Sequence, residues 1–158
     1  MSTDVTADST MGAPVVKPGQ MWIEVVTLPV ADVDRAKEFY EGLGWRLDID
    51  FEPGPGLRGV QLTPPGSPCS IQFGSGSPGP KPGSAQGIFL VVSDIEEART
   101  QLIEGGADVS EISYRDLGGN AGSGPDPQRR SYFSRASLSD PDGNTWVLQE
   151  ITERLPGR

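Results

Sequence analysis

One segment occurs twice in this chain, and the repetition limits the fold more than any other feature. Val25-Val26-Thr27-Leu28-Pro29-Val30-Ala31-Asp32 leads into a stretch that closes at Gly44-Trp45, and Gly87-Ile88-Phe89-Leu90-Val91-Val92-Ser93-Asp94 leads into one that closes at Gly105-Gly106. Asp32/Asp94, Ala36/Ala98 and Gly44/Gly106 share one offset of 62 residues. In each copy an apolar, strand-like run meets an aspartate placed to accept the orphan N–H groups of a first helical turn. Asp94 with Glu97 also forms a capping-box-like pair. The glycines suit the left-handed residue that ends a helix. Capping is therefore the expected role of both aspartates.

Three further strands are expected after each helix. In the first half they fall near Arg46–Phe51, Arg58–Leu62 and Cys69–Phe73, the last two joined through Pro64-Pro65-Gly66-Ser67. In the second half they fall near Val109–Tyr114, Tyr132–Leu138 and Thr145–Ile151, the last two joined through Asp140-Pro141-Asp142-Gly143-Asn144. Proline presets one turn dihedral and Gly or Asn accepts positive φ, so both joints read as hairpin turns. The chain is thus an α+β protein of two tandem βαβββ modules. Residues 1–19 read as a disordered tail, 20–74 as the first module, 75–86 as a linker, 87–152 as the second module and 153–158 as a short tail. The Gly- and Pro-rich stretch Leu117–Pro127 is a long surface loop, with Tyr132 and Phe133 at its exit as candidates for a lid.

Charge and cysteine content remove whole classes of partner. A net charge of -9 and a pI near 4.4 argue against nucleic acid and anionic membranes, which need a concentrated basic patch. Arg129-Arg130 is the one adjacent basic pair. A single cysteine, Cys69, excludes an internal disulfide and a thiolate metal site, and reads as a small strand residue. No segment is apolar enough for a secretory leader or a membrane span, so a cytoplasmic location is expected.

The motifs Leu28-Pro29-Val30-x-Asp32-x-Asp34-x-Ala36-x-x-Phe39-Tyr40-x-x-Leu43-Gly44-Trp45 and Asp140-Pro141-Asp142-Gly143-Asn144-x-Trp146-x-Leu148-Gln149-Glu150 resemble the vicinal oxygen chelate superfamily. That group includes glyoxalase I, extradiol dioxygenases, fosfomycin-resistance enzymes and bleomycin-resistance binding proteins. The resemblance covers about residues 21–151 and implies a curled mixed-sheet cup, helices outside and ligand inside. Both modules lie in one chain, so a complete cup can form within a monomer. Pairing into a homodimer that shares or swaps modules is the other arrangement the linker permits.

Metal-dependent members carry histidines and carboxylates at positions that the resemblance maps to Val25, Ser70 or Gln72, Gly87 and Val147. This chain has no histidine. Two of the positions are aliphatic and one has no side chain, so neither a metal nor another cofactor is expected. Glu150 lies three residues beyond Val147, and alternation along a strand turns it to the opposite face.

The same alternation picks out the inner face: Val25, Thr27, Ser70, Gln72, Gly87, Phe89, Val147 and Gln149, with Tyr132 at the loop exit. A mostly apolar lining with a few neutral hydrogen-bonding groups suits a small, largely apolar or aromatic organic ligand. The expected function is binding of an antibiotic or metabolite, with resistance by sequestration as one use. The acidic surface favours a cationic ligand. The alternative is a metal-independent isomerase, lyase or cyclase using Gln72, Gln149, Tyr132, Arg135, Asp50 and Glu52.

Overall fold

The computed structural model describes residues 15–158; the first fourteen residues of the expected N-terminal tail lie outside the described residues. In the first half the order is β1 (Val25–Thr27), α1 (Val33–Gly42), β2 (Arg46–Gly54), β3 (Leu57–Thr63) and β4 (Ser70–Ser75). In the second it is β5 (Ile88–Val92), α2 (Ile95–Glu104), β6 (Ser113–Arg115), β7 (Ala121–Ser123), β8 (Ser134–Ser139) and β9 (Thr145–Glu150). The caps fall where the repeat puts them. Asp32 accepts the Arg35 N–H at 3.0 Å, and Asp94 accepts those of Glu96 and Glu97, each at 3.1 Å. Just past the helix ends, Gly44 and Gly106 hold φ of 85° and 101°, values a side chain would strain.

Each half builds one mixed sheet, ordered β1-β4-β3-β2 and β5-β9-β8-β6-β7, and neither closes into a barrel. The first and last strands of each module pair in parallel, Val25 opposite Ser70 and Phe89 opposite Val147. A parallel neighbour needs a crossover, and α1 and α2 supply it. The sequence expectation differs in the second strand of the second module, the first after α2. Regular pairing starts only at Ser113, with Val109 joined to Leu138 by an isolated bridge. The expected surface loop also contains β7, which adds an edge strand against β6.

The two modules meet through their helix-bearing faces. Leu28, Val60, Leu62, Ile71 and Phe73 from the first sheet and Ala136, Leu138, Trp146 and Leu148 from the second belong to one buried cluster. Tyr40 of α1 sits at its centre. Its ring lies 6.1 Å from both Phe73 and Trp146, one on each sheet. Its hydroxyl donates to Asp140 Oδ2 at 2.9 Å and accepts the Trp146 indole N–H at 3.0 Å. Asn144 extends the joint, donating to Asp140 at 2.8 Å and to the Pro29 carbonyl at 2.9 Å. The C-terminal ends of the helices also touch closely, since a Cβ at Gly105 would lie 2.6 Å from the Gly42 carbonyl oxygen.

A consequence follows for the cup. With the helix-bearing faces joined in one core, the opposite faces of the two sheets are turned away from that core and remain open. They carry exposed apolar side chains: Ile49 (44%) and Phe51 (52%) on one, Phe89 (47%) and Val91 (47%) on the other. The helices do lie outside each open face, but the chain presents two half-cups and not one complete cup.

Burial, with Asp140 beside it, pushes the Tyr40 phenol above its ordinary value. A raised native pKa stabilises the fold below the unfolded value, near 10, and this contribution is lost as pH rises beyond it. Tyr40→Phe leaves Asp140 and Trp146 each short of a partner and should cost about 1–3 kcal/mol, read as a lower Tm at pH 7. The variant should also lose part of the alkaline fall in Tm. Gly105→Ala should destabilise by a similar amount, about 1–3 kcal/mol, by forcing the helix ends apart.

Candidate ligand-binding site

The open face of the first sheet is built in cross-strand rows. Thr27, Gln72, Gln61 and Ile49 stand side by side across β1, β4, β3 and β2, and Gly74, Gly59 and Phe51 form the row beside them. The Phe51 ring lies over Gly59, where an added Cβ would meet it at 2.7 Å. Gln72 donates to the Thr27 hydroxyl at 2.9 Å. Together these residues floor a cavity of about 510 Å³ that Ser77–Pro82 edges from the side. Ser70 sits one row further on, buried, 2.7 Å from the Thr63 hydroxyl, which in turn donates to Asp48. Val25 is half-buried opposite Ser70.

On the second sheet Phe89, Val147 and Ser137 form one row, and Val91, Gln149, Arg135 and Ser113 the next. Gly87 lies just before β5 and donates its N–H to the Thr145 hydroxyl at 2.8 Å. The Arg135 guanidinium lies over the Phe89 ring, 5.3 Å from its centroid. A second cavity, about 520 Å³, is lined by Ser113, Arg115, Tyr132, Phe133 and Arg135 among others. Neither cavity draws residues from both halves. Thr27, Ser70 and Gln72 therefore gather on one open face, while Phe89, Val147, Gln149 and Tyr132 gather on the other.

Glu150 points away from this face, as its offset from Val147 requires. It is buried on the core side, accepting the Ile95 N–H at 2.9 Å and the Arg129 guanidinium at 2.7 and 2.9 Å. Arg129, helped by that N–H, holds the Glu150 carboxyl below the usual carboxylate range. Asp50 is likewise engaged: Arg58 and Lys37 bind it and lower its pKa. Burial pushes the Cys69 thiol upward, away from the reactive thiolate.

Tyr132 is held firmly for a lid candidate. Its φ of 78° is in the left-handed region, unusual for a bulky side chain. Three bonds fix it there: its N–H to the Glu150 carbonyl at 2.8 Å, its carbonyl to Gln149 Nε2 at 2.8 Å, and its hydroxyl accepting the Leu155 N–H at 3.0 Å. Upstream, buried Asp126 gathers the Arg130 guanidinium, at 2.6 and 2.9 Å, and two backbone N–H groups. The alternation pattern missed Ile49, Phe51, Gln61 and Arg115.

A match to the family model described as Glyoxalase/Bleomycin resistance protein/Dioxygenase superfamily spans residues 22–148, and the chain belongs to that family. It is similar to TnmS3, an antibiotic binding protein from Streptomyces sp. CB03234, at 29% identity and a TM-score of 0.64, over 85% of this chain and 98% of that one. A glyoxalase/bleomycin resistance protein from the same Streptomyces is similar at 30% identity and a TM-score of 0.61, over 82% and 100% of the two chains. A superfamily member from Sphaerobacter thermophilus DSM 20745 matches at 29% identity and 0.64, over 84% and 98%. No curated protein sequence matches the chain.

The metal of many family members does not suit these residues. The positions that would hold it carry Val25, Gly87, Val147 and, of the two first-module alternatives Ser70 and Gln72, the one that pairs with Thr27 as Val147 pairs with Phe89, namely Gln72. The set has a single neutral amide and no anionic ligand. The Gln72 amide is itself bonded to Thr27, and the Ser70 hydroxyl to Thr63. Among the described residues no group of three or more Cys, Asp or Glu side chains is placed to hold a metal ion.

Arg130, with the surrounding N–H groups, holds the Asp126 carboxyl down at about 2. A depressed native pKa gives stability that is present above the unfolded value of 3.8 and lost as pH falls toward about 2. Melts between pH 6 and pH 2 should therefore show an acid-limb fall in Tm that is shallower in Asp126→Asn. That variant should be less stable than the native chain at pH 6.

Proposed function

We propose that this protein binds a small, largely apolar or aromatic organic molecule, an antibiotic or a metabolite, without a metal, and that sequestration is its activity. The observation that carries the reading is the pair of open, apolar sheet faces that one chain does not bring together. Two copies pairing so that the first-half face of one covers the second-half face of the other turn four half-cups into two complete cups. Such a twofold pairing satisfies both faces at once, and closed symmetric dimers are the commonest assembly. An exposed Phe51 and Phe89 are costly in water and favourable as walls of a pocket.

The similarity to an antibiotic binding protein supports this class of ligand. The alternative, turnover by a metal-independent isomerase, lyase or cyclase, asks for a free acid or base on these faces. Asp50 is engaged with Arg58 and Lys37, and Glu52 lines a separate cleft beside Asp32 and Asp34. The Gln149 amide is bonded to the Tyr132 carbonyl and the Tyr132 hydroxyl accepts the Leu155 N–H. Arg135 is a permanent cation with no proton to exchange near neutral pH. No helix among the described residues is long and apolar enough to cross a membrane.

The reading predicts a dimer in sedimentation velocity, no stoichiometric metal by elemental mass spectrometry, and a Tm unchanged by chelator. A thermal-shift screen of aromatic antibiotics and metabolites on chelator-treated protein should give ligands that raise Tm and are recovered chemically unaltered. Recovery of a converted product, or binding abolished by the chelator, would overturn sequestration without a metal.

A further inference from the structure

We propose that the ligand carries a negative charge on a flat aromatic frame, and that Arg135 and Arg115 recognise that charge. The proposal rests on the cup reading above and narrows its ligand class against the direction the overall charge suggests. With a net charge of -9, the chain has carboxylates to spare, and nearly every cation in its regular elements has one. Arg35 pairs with Asp142, Arg46 with Asp48, Arg58 with Asp34 and Asp50, Lys37 with Asp50, and Arg99 with Glu111. Arg115 on β6 and Arg135 on β8 are the two cations of the strands and helices that have no carboxylate partner among the described residues.

Both arginines lie on the open face of the second sheet. Arg135 stands between Gln149 and Ser113 in its row, and the Arg115 N–H bonds to the Phe133 carbonyl, which places it on the adjoining row. They line the same cavity. Its one carboxylate, Asp116, is engaged elsewhere: it accepts two bonds from Asn120, at 2.9 and 3.0 Å, and lies 3.5 Å from Arg130.

The Arg135 guanidinium rests on the Phe89 ring, which leaves the N–H edge of the fork unused. A planar ligand that continues this stack meets a ring and a guanidinium plane. An anionic oxygen at its edge meets N–H donors in the geometry they favour. The facing wall in the proposed pairing, Thr27, Gln61, Gln72, Ile49 and Phe51, brings no charge to neutralise the arginines. Shut into the cup they are unpaired charges, and an acidic group on the ligand (phenolate, carboxylate or sulfonate) completes them. A cationic ligand meets like charge.

Two fluorescent probes share one ring system and differ in this group: 8-anilinonaphthalene-1-sulfonate is anionic and N-phenyl-1-naphthylamine is neutral. Titration of the native protein should give at least tenfold tighter binding of the sulfonate, falling with added salt while binding of the neutral probe does not. Arg135→Gln should weaken the sulfonate about tenfold, as loss of a charge-assisted bond predicts, and Arg115→Gln should weaken it less. In both variants the sulfonate should lose more affinity than the neutral probe, so that the ratio of the two affinities falls toward one, and Arg135→Lys should keep most of the preference. Both side chains are exposed, so the melts of these variants should match the native one. Equal affinity for the two probes, or sulfonate binding indifferent to both arginines, overturns the anion assignment and leaves the cup standing. Binding of neither probe removes the cup reading along with it.

Discussion

The Tyr40 hydroxyl, shared between Asp140 and the Trp146 indole, determines which surfaces this protein has to offer. A phenol buried between two sheets has to satisfy its oxygen, and both partners come from the second module. That bond network ties α1 to the β8–β9 turn, while Asn144 ties the same turn to the chain just before α1. The modules are thereby locked with their helix-bearing faces inward. Everything else about the site follows from that orientation: each sheet keeps one face for the outside, and the two outward faces belong to different sides of the molecule.

The two modules repeat one scaffold but present different faces. The first sheet offers neutral amides, a hydroxyl and two large apolar side chains. The second offers aromatic rings and two arginines. At the four positions that correspond to metal ligands in many relatives, Val25, Gln72, Gly87 and Val147 supply bulk, a neutral amide, or nothing. The one acidic side chain close by in sequence, Glu150, serves the opposite face, where it caps α2 and anchors Arg129. On the proposed reading, the family's cup is assembled from two copies and carries recognition chemistry in place of metal chemistry.

Elements fixed by local rules were readable from the sequence. Asp32 and Asp94 cap as their position after an apolar run demands, and simple alternation was enough to turn Glu150 away from Val147. The first-half face was harder, because β2 carries an irregularity between Leu47 and Ile49. Strict alternation puts Leu47, Ile49 and Phe51 on one side; the extra residue lets Leu47 pack in the core while Ile49 and Phe51 go to the open face. The strand β7 was hidden in a Gly-rich stretch, where Gly122 leaves room for the Tyr114 ring. The relative orientation of the modules depends on Tyr40 meeting a residue a hundred positions away, and no local pattern encodes that. The charge of the face was masked by composition, since an acidic chain can still concentrate two unpaired arginines in one place.

The central claim is that each complete site takes one face from each of two copies. Mixing two variants tests it most directly: one with the first-half face spoiled by Phe51→Glu and Gln72→Ala, the other with the second-half face spoiled by Phe89→Glu and Arg135→Ala. Each is denatured and refolded alone and together, and binding of 8-anilinonaphthalene-1-sulfonate is counted per chain. The account predicts no binding by either variant alone and recovery of about a quarter of the native sites in the mixture, because half of randomly formed dimers are mixed and each holds one intact cup. No recovery in a mixture shown to contain mixed dimers, or full binding retained by either variant alone, would contradict it.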